Sequence, residues 1–171
     1  MLSPTVLEGA PPSGLADDAA RDIVRRLLRG IAGELPLAAA AEMLDENVAA
    51  YMDGKIIGRG RGAWFRWVSF LQYNAAAQFS NFGMEIESME EDGDVVRVRA
   101  KWRGDRNGKT GFSKTGEVAY QIRSGKIVKI WTHRKNYAFI YGEKIAESRA
   151  AFWLLLLRLF LRRAPKGMEK I

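Results

Sequence analysis

The sequence predicts an α+β half-barrel, with N-terminal helices packed on a curved, mostly antiparallel sheet. Three turn signals carry the sheet: Asp92-Gly93, Asn107-Gly108 and Ser124-Gly125, each flanked by runs rich in valine, isoleucine, threonine and aromatic residues. Such dipeptides between strand-like runs read as hairpins, so four strands follow in sequence at about residues 78–91, 94–104, 111–123 and 126–137. A meander of this kind buries one face, and the amphipathic helices able to cover it all lie upstream. A half-barrel capped by helices encloses a pocket.

The elements follow in order. Asp17 or Asp18 is placed to cap a first helix, about 17–33, in which Ile23, Leu27, Leu28 and Ile31 recur at helical spacing before Gly33. Pro36 opens a second helix, about 36–45. Val48, Ala50 and Met52 then alternate with Ala49, Tyr51 and Asp53, a short strand that puts Tyr51 and Asp53 on one face. The run Gly58-Arg59-Gly60-Arg61-Gly62 lacks the Gly-Lys-Ser/Thr ending of a phosphate loop and reads as a flexible lead-in to a third helix, about 60–75, carrying Trp64, Trp67, Val68 and Leu71. In the meander, Arg97, Arg99, Lys101 and Arg103 alternate with Val96, Val98, Ala100 and Trp102, so the basic set shares the outer face.

Composition bounds the rest. The 171 residues, 47% of them hydrophobic, suit one domain with a sizeable core. With no cysteine there is no disulfide, thiolate nucleophile or thiolate metal site, and the cytoplasm is the default compartment. Residues 1–16 carry two adjacent prolines and no sustained apolar run, and are read as a flexible N-terminal arm rather than a secretory signal. The stretch 94–137 holds twelve basic and three acidic residues, whereas 85–94 is acidic and reads as a solvated hairpin tip. Without an aromatic RNA-binding motif, a zinc site or a helix-turn-helix, the basic stripe is assigned to a solvated sheet face and not to nucleic acid.

The residues also resemble a known family. Leu44-Asp45-Glu46-Asn47-Val48, the strand at Ala50 to Asp53, the Gly-Arg-Gly before a tryptophan-bearing helix, and the closing Ser124-Gly125-Lys126-Ile127-Val128-Lys129-Ile130-Trp131 look like the nuclear transport factor 2-like superfamily, its SnoaL-like branch in particular. The resemblance covers residues 17–142. It implies a conical α+β barrel with a deep apolar pocket, often dimeric through the sheet, and in many members small-molecule chemistry: isomerases, dehydratases, epoxide hydrolases, polyketide cyclases and cofactor-free lyases. Other members are binding or assembly modules. Steroid isomerases of the superfamily place a base carboxylate near the short strand, where Tyr51 and Asp53 are the nearest matches. Cyclases place a carboxylate about four residues after the terminal-strand tryptophan, a position held here by Lys135. The Arg-x-Asp arrangement of the epoxide hydrolases is absent from Arg97-Val98-Arg99-Ala100-Lys101.

The expected chemistry rests on polar residues that interrupt apolar faces. His133 is the only histidine and the best proton shuttle by its ordinary pKa. Lys114 and Lys135 are candidates to stabilise a phenolate or enolate, Tyr51 to donate, and Asp53 to act as general base. Trp64, Trp102, Tyr120 and Trp131 are the expected substrate-lining aromatics. Convergence of Lys114, His133, Lys135, Tyr51 and Tyr120 would suit an anionic or phenolic aromatic ligand. The expected function is therefore a cofactor-independent lyase, dehydratase or isomerase without a metal; the alternative is a non-catalytic binding or assembly module. A homodimer is the expected assembly. Residues 143–171 read as a C-terminal basic amphipathic helix and tail, expected to dock on protein, with peripheral membrane contact as the alternative.

Overall fold

The structure, a computed structural model, describes residues 13–106 and 108–142, together with 148, 150, 151, 153, 154 and 157. Of the expected arm over 1–16, residues 1–12 lie outside the described residues and 13–16 are helical; the Asn107 turn position and most of the expected C-terminal helix and tail also lie outside them.

Helix α1 runs Ser13–Ile31, starting before the expected aspartate cap. It turns Val24, Leu27 and Leu28 into the core while Arg25, Arg26 and Arg29 face out. Helix α2 is Leu37–Ala41 only, shorter than expected, because Leu44 already pairs with the sheet opposite Ile127. Strand β1 spans Leu44–Met52 and turns through Asp53 and Gly54, at φ 49° and 78°, into β2, Lys55–Arg59. Both central residues at positive φ make the tight hairpin whose twist matches its strands. Strand β2 takes part of the glycine-rich run read as flexible lead-in. Helix α3, Arg61–Gln78, follows from Gly60 (φ 80°), whose N–H donates to Val48 O at 2.8 Å.

The meander is β3 Phe79–Asp92, β4 Val95–Arg106, β5 Lys109–Arg123 and β6 Lys126–Thr132. The six strands form one open sheet in the order β2-β1-β6-β5-β4-β3, antiparallel throughout except for the parallel pair β1–β6. Bulges at Ser80/Gly83, Ile86/Ser88 and Gln121/Ile122 bend it around the helices. Val96, Val98, Ala100, Tyr120 and Ile130 face Trp64, Trp67, Val68 and Leu71 of α3 across the core.

Two expectations need correction. The last strand ends at Thr132 instead of continuing to 137. Asn136 explains this: its backbone N–H donates to His133 O and its side chain donates to Glu117 O (2.7 Å) and to Thr132 Oγ1 (3.1 Å), coiling Arg134–Tyr137 into a 3-10 turn. A short helix α4, Ala138–Tyr141, follows. The acidic stretch is also no mere solvated tip, since Glu85, Glu87 and Asp92 of β3 pair with Arg103, Arg99 and Arg97 of β4. The basic stripe is largely neutralised by its neighbour strand.

Candidate functional site

Between helices and sheet the cone is nearly filled. An inner cavity of about 50 Å³ remains, walled by Trp64, Trp67, Leu71, Trp102 and Val118. Its polar groups come from Tyr120 on β5, Thr132 at the end of β6, and Asn136 and Tyr137 of the 3-10 turn. A wider apolar opening of about 280 Å³ lies between the C-terminal halves of α1 and α3, lined by Ala76, Phe82 and Ile140 among others. The two volumes share Ile31, Leu71, Trp102 and Tyr137, so the opening is the mouth of the cone. Among the described residues, no charged side chain lines either of them.

The polar groups are wired in one direction. Asn136 Nδ2 donates to Thr132 Oγ1, and Thr132 Oγ1 donates to the Tyr137 hydroxyl at 3.2 Å. That chain leaves the Tyr137 O–H proton to point elsewhere, and successive donors polarise one another. Gly116 makes it possible, because a Cβ there would sit 3.0 Å from Asn136 Cγ. Tyr120, 2% exposed, has no hydrogen bond to any described residue. Burial pushes its phenol well above the ordinary value, with the nearby Tyr137 adding to the effect; burial raises the Tyr137 phenol too, against the lowering effect of Thr132. At neutral pH both are therefore protonated donors. They can hold and polarise a carbonyl, and they cannot serve as bases.

A third and larger volume, about 510 Å³, lies on the opposite, outer face of the sheet, lined by Tyr51, Arg97, Arg99, Glu117, Ala119, Trp131 and His133. Tyr51 and Trp131, register partners on β1 and β6, stack with ring centroids 6.1 Å apart. His133 Nδ1 stands 3.2 Å from Asp53 Oδ1, and Arg134 Nε lies 3.4 Å from Asp53 Oδ2.

The expected convergence of site residues does not occur. Trp64, Trp102 and Tyr120 line the inner cavity. Tyr51, Trp131 and His133, with Asp53 beside them, lie on the other side of the sheet, because even-numbered Ile130 and Thr132 take the inward positions of β6. Lys114 stands opposite Trp102 in register but lines none of the three volumes, and Lys135 is exposed on the 3-10 turn. Thr132, Asn136 and Tyr137 were not singled out as site residues. All three fall within the strand expected over 126–137, and nothing local in that run signals that a turn folds Asn136 and Tyr137 back under the sheet.

Among the described residues there is no cluster able to hold a metal ion and no helix long and apolar enough to cross a membrane.

No family model matches the sequence, and no curated protein matches it either. Solved structures do. The chain is similar to a loop-truncation variant of IdmH, a candidate polyketide cyclase of Streptomyces antibioticus, at 21% identity over 72% of this chain and 99% of that one, with a TM-score of 0.58. It is similar to a candidate ketosteroid isomerase of Kribbella flavida (14% identity, 68% and 77% covered, TM-score 0.52). A candidate polyketide cyclase of Sinorhizobium meliloti matches at 23% identity over 64% and 92%, with a TM-score of 0.50. At such identities the likeness is one of fold. The chain has the nuclear transport factor 2-like cone.

Proposed function

We propose that the protein is a cofactor-independent enzyme of the isomerase or cyclase type, acting on a hydrophobic, uncharged small molecule that carries a carbonyl group. The observation behind this reading is the pair of buried phenols, Tyr120 and Tyr137, at the base of an apolar cone with an open apolar mouth. The similarity to candidate cyclases and isomerases supports it. A ring system enters between Leu71, Phe82 and Trp102 and presents its carbonyl oxygen to the two O–H donors. Donors fixed in a dry site stabilise the negative charge that grows on that oxygen as an enolate forms, or as a carbon of the same substrate attacks the carbonyl. Because the described cone holds no carboxylate or imidazole, the proton is accepted by the substrate itself or by water. The anionic ligand expected from the lysines does not suit this uncharged interior.

The second reading, a non-catalytic binding module, draws on the small inner volume of about 50 Å³. Exchange of the α-protons of β-tetralone in D2O, followed by NMR, separates the two. An enzyme accelerates exchange saturably, and Tyr120→Phe and Tyr137→Phe each slow it by about 10²–10³-fold, the usual effect of removing one such donor. Saturable binding without acceleration would establish the module and dismiss the enzyme.

A further inference from the structure

The outer groove is a shaped slot and not a flat sheet face. Pairing across five strands puts Tyr51, Trp131, Ala119, Arg97 and Glu90 in a single row, on β1, β6, β5, β4 and β3 respectively. Ala119 is the one small residue of the row, so the groove opens above it, between Trp131 and Arg97. Their strands are two spacings apart, about 9.6 Å between backbones. One flat ring in van der Waals contact on both sides needs about 7 Å. Tyr51 stacks on the Trp131 indole from the β1 side, and Lys129 Nζ lies over the same ring, 5.8 Å from its centroid, so a ring entering from the Ala119 side has only that flexible lysine to displace.

His133 stands two residues beyond Trp131 on the same face, with Nδ1 3.2 Å from Asp53 Oδ1. In the tautomer whose Nδ1–H donates to the Asp53 carboxylate, Nε2 is the acceptor left on a ring that lines the groove. An acceptor at the end of an aromatic slot selects a ring with an O–H. We propose that this slot is a second binding site, independent of the cone, for a planar phenol whose ring lies on Ala119 between Trp131 and Arg97 and whose hydroxyl donates to His133 Nε2. Arg97 is available for stacking, since its pair with Asp92 is 3.5 Å long and both side chains are mostly exposed.

His133 is the only histidine, so its Hε1 resonance reports on the site without ambiguity. The experiment titrates the full chain with β-naphthol and with its methyl ether. β-Naphthol should shift the His133 signal saturably and bind at least tenfold tighter than the ether, which lacks the donor. Ala119→Leu should weaken β-naphthol at least tenfold by filling the slot, and Asp53→Asn should reduce its advantage over the ether. Ala76→Trp, which blocks the mouth of the cone, should leave the His133 titration unchanged. Equal affinity for phenol and ether overturns the proposal, as does indifference to Ala119→Leu. Loss of the response in Ala76→Trp would place the ligand in the cone and overturn it too. So would a wild-type dimer that dissociates in Ala119→Leu and binds neither compound, which would make the slot an interface between copies.

Discussion

Asp53 and His133, 80 residues apart in the chain, meet at 3.2 Å where the β1–β2 turn touches the end of β6. The Asp53 N–H reinforces the junction by donating to Thr132 O at 3.1 Å. His133 is 70% exposed and Asp53 28%, so the pair contributes about 0–1 kcal/mol to stability. His133→Ala should accordingly move the denaturation midpoint little, and a loss above about 2 kcal/mol would mean that the imidazole holds the junction itself.

Tyr120→Phe should leave stability at neutral pH unchanged or slightly raised, because the hydroxyl it removes is buried without a hydrogen bond to the described residues. Its pH dependence is more telling. The folded phenol is raised above the unfolded value of 10.0, so its contribution is complete below pH 10.0 and is lost as pH rises towards the folded value. The variant should lose stability less steeply in alkali than the wild type. Parallel alkaline denaturation curves would show that Tyr120 titrates freely.

Asp94 has the opposite sign. Hydrogen bonds from Gln121 and then Arg123 hold its carboxyl below the ordinary 3.8, so its contribution is present above 3.8 and disappears as pH falls through the depressed value. Asp94→Asn should therefore lower Tm at neutral pH, and the gap to wild type should close well below 3.8. A gap that persists in acid would point to the lost geometry and not the charge.

Gly116→Ala should cost about 1–3 kcal/mol, since the new methyl meets Asn136 at 3.0 Å and displaces it from Glu117 O and Thr132 Oγ1. The same change should slow β-tetralone exchange by releasing Tyr137. A stable variant with normal exchange would show that Tyr137 does not depend on the Asn136 chain.

The hairpins at Asp92-Gly93 and Ser124-Gly125 were legible because each needs backbone that few residues adopt; Gly93, Ser124 and Gly125 all sit at positive φ. Asp53-Gly54 carries the same signal and would have revealed β2, whose short Lys55–Arg59 stretch was hidden by Gly58 and its neighbours. Strand alternation placed Val96, Val98, Ala100 and Trp102 inside and the arginines outside, as found. It could not say that Glu85 and Glu87 would sit beside those arginines. Nor could it show which face His133 takes: the β5–β6 register shifts at Gln121/Ile122, and the strand stops at Thr132 through a side chain that bonds Glu117 across the sheet. Asp53 and His133 were both named from the sequence. Their partnership depends on a pairing between the first strand and the last.

That pairing bears on how the chain comes to be folded at all. Strand β1 is made early, yet apart from β2 its only neighbour is β6, the last strand. Until Ile127 to Thr132 have left the ribosome, β1 and β2 form a two-stranded ribbon, which is marginal in water. Helix formation and the β3–β4 hairpin need no such wait, so the nascent chain can assemble its local parts while one strand edge stays open. Joining β1 to β6 closes the longest loop between paired strands and is the step that should limit the folding rate. A chain cut short before β6 would be left with an unpaired edge for proteases or other chains to find.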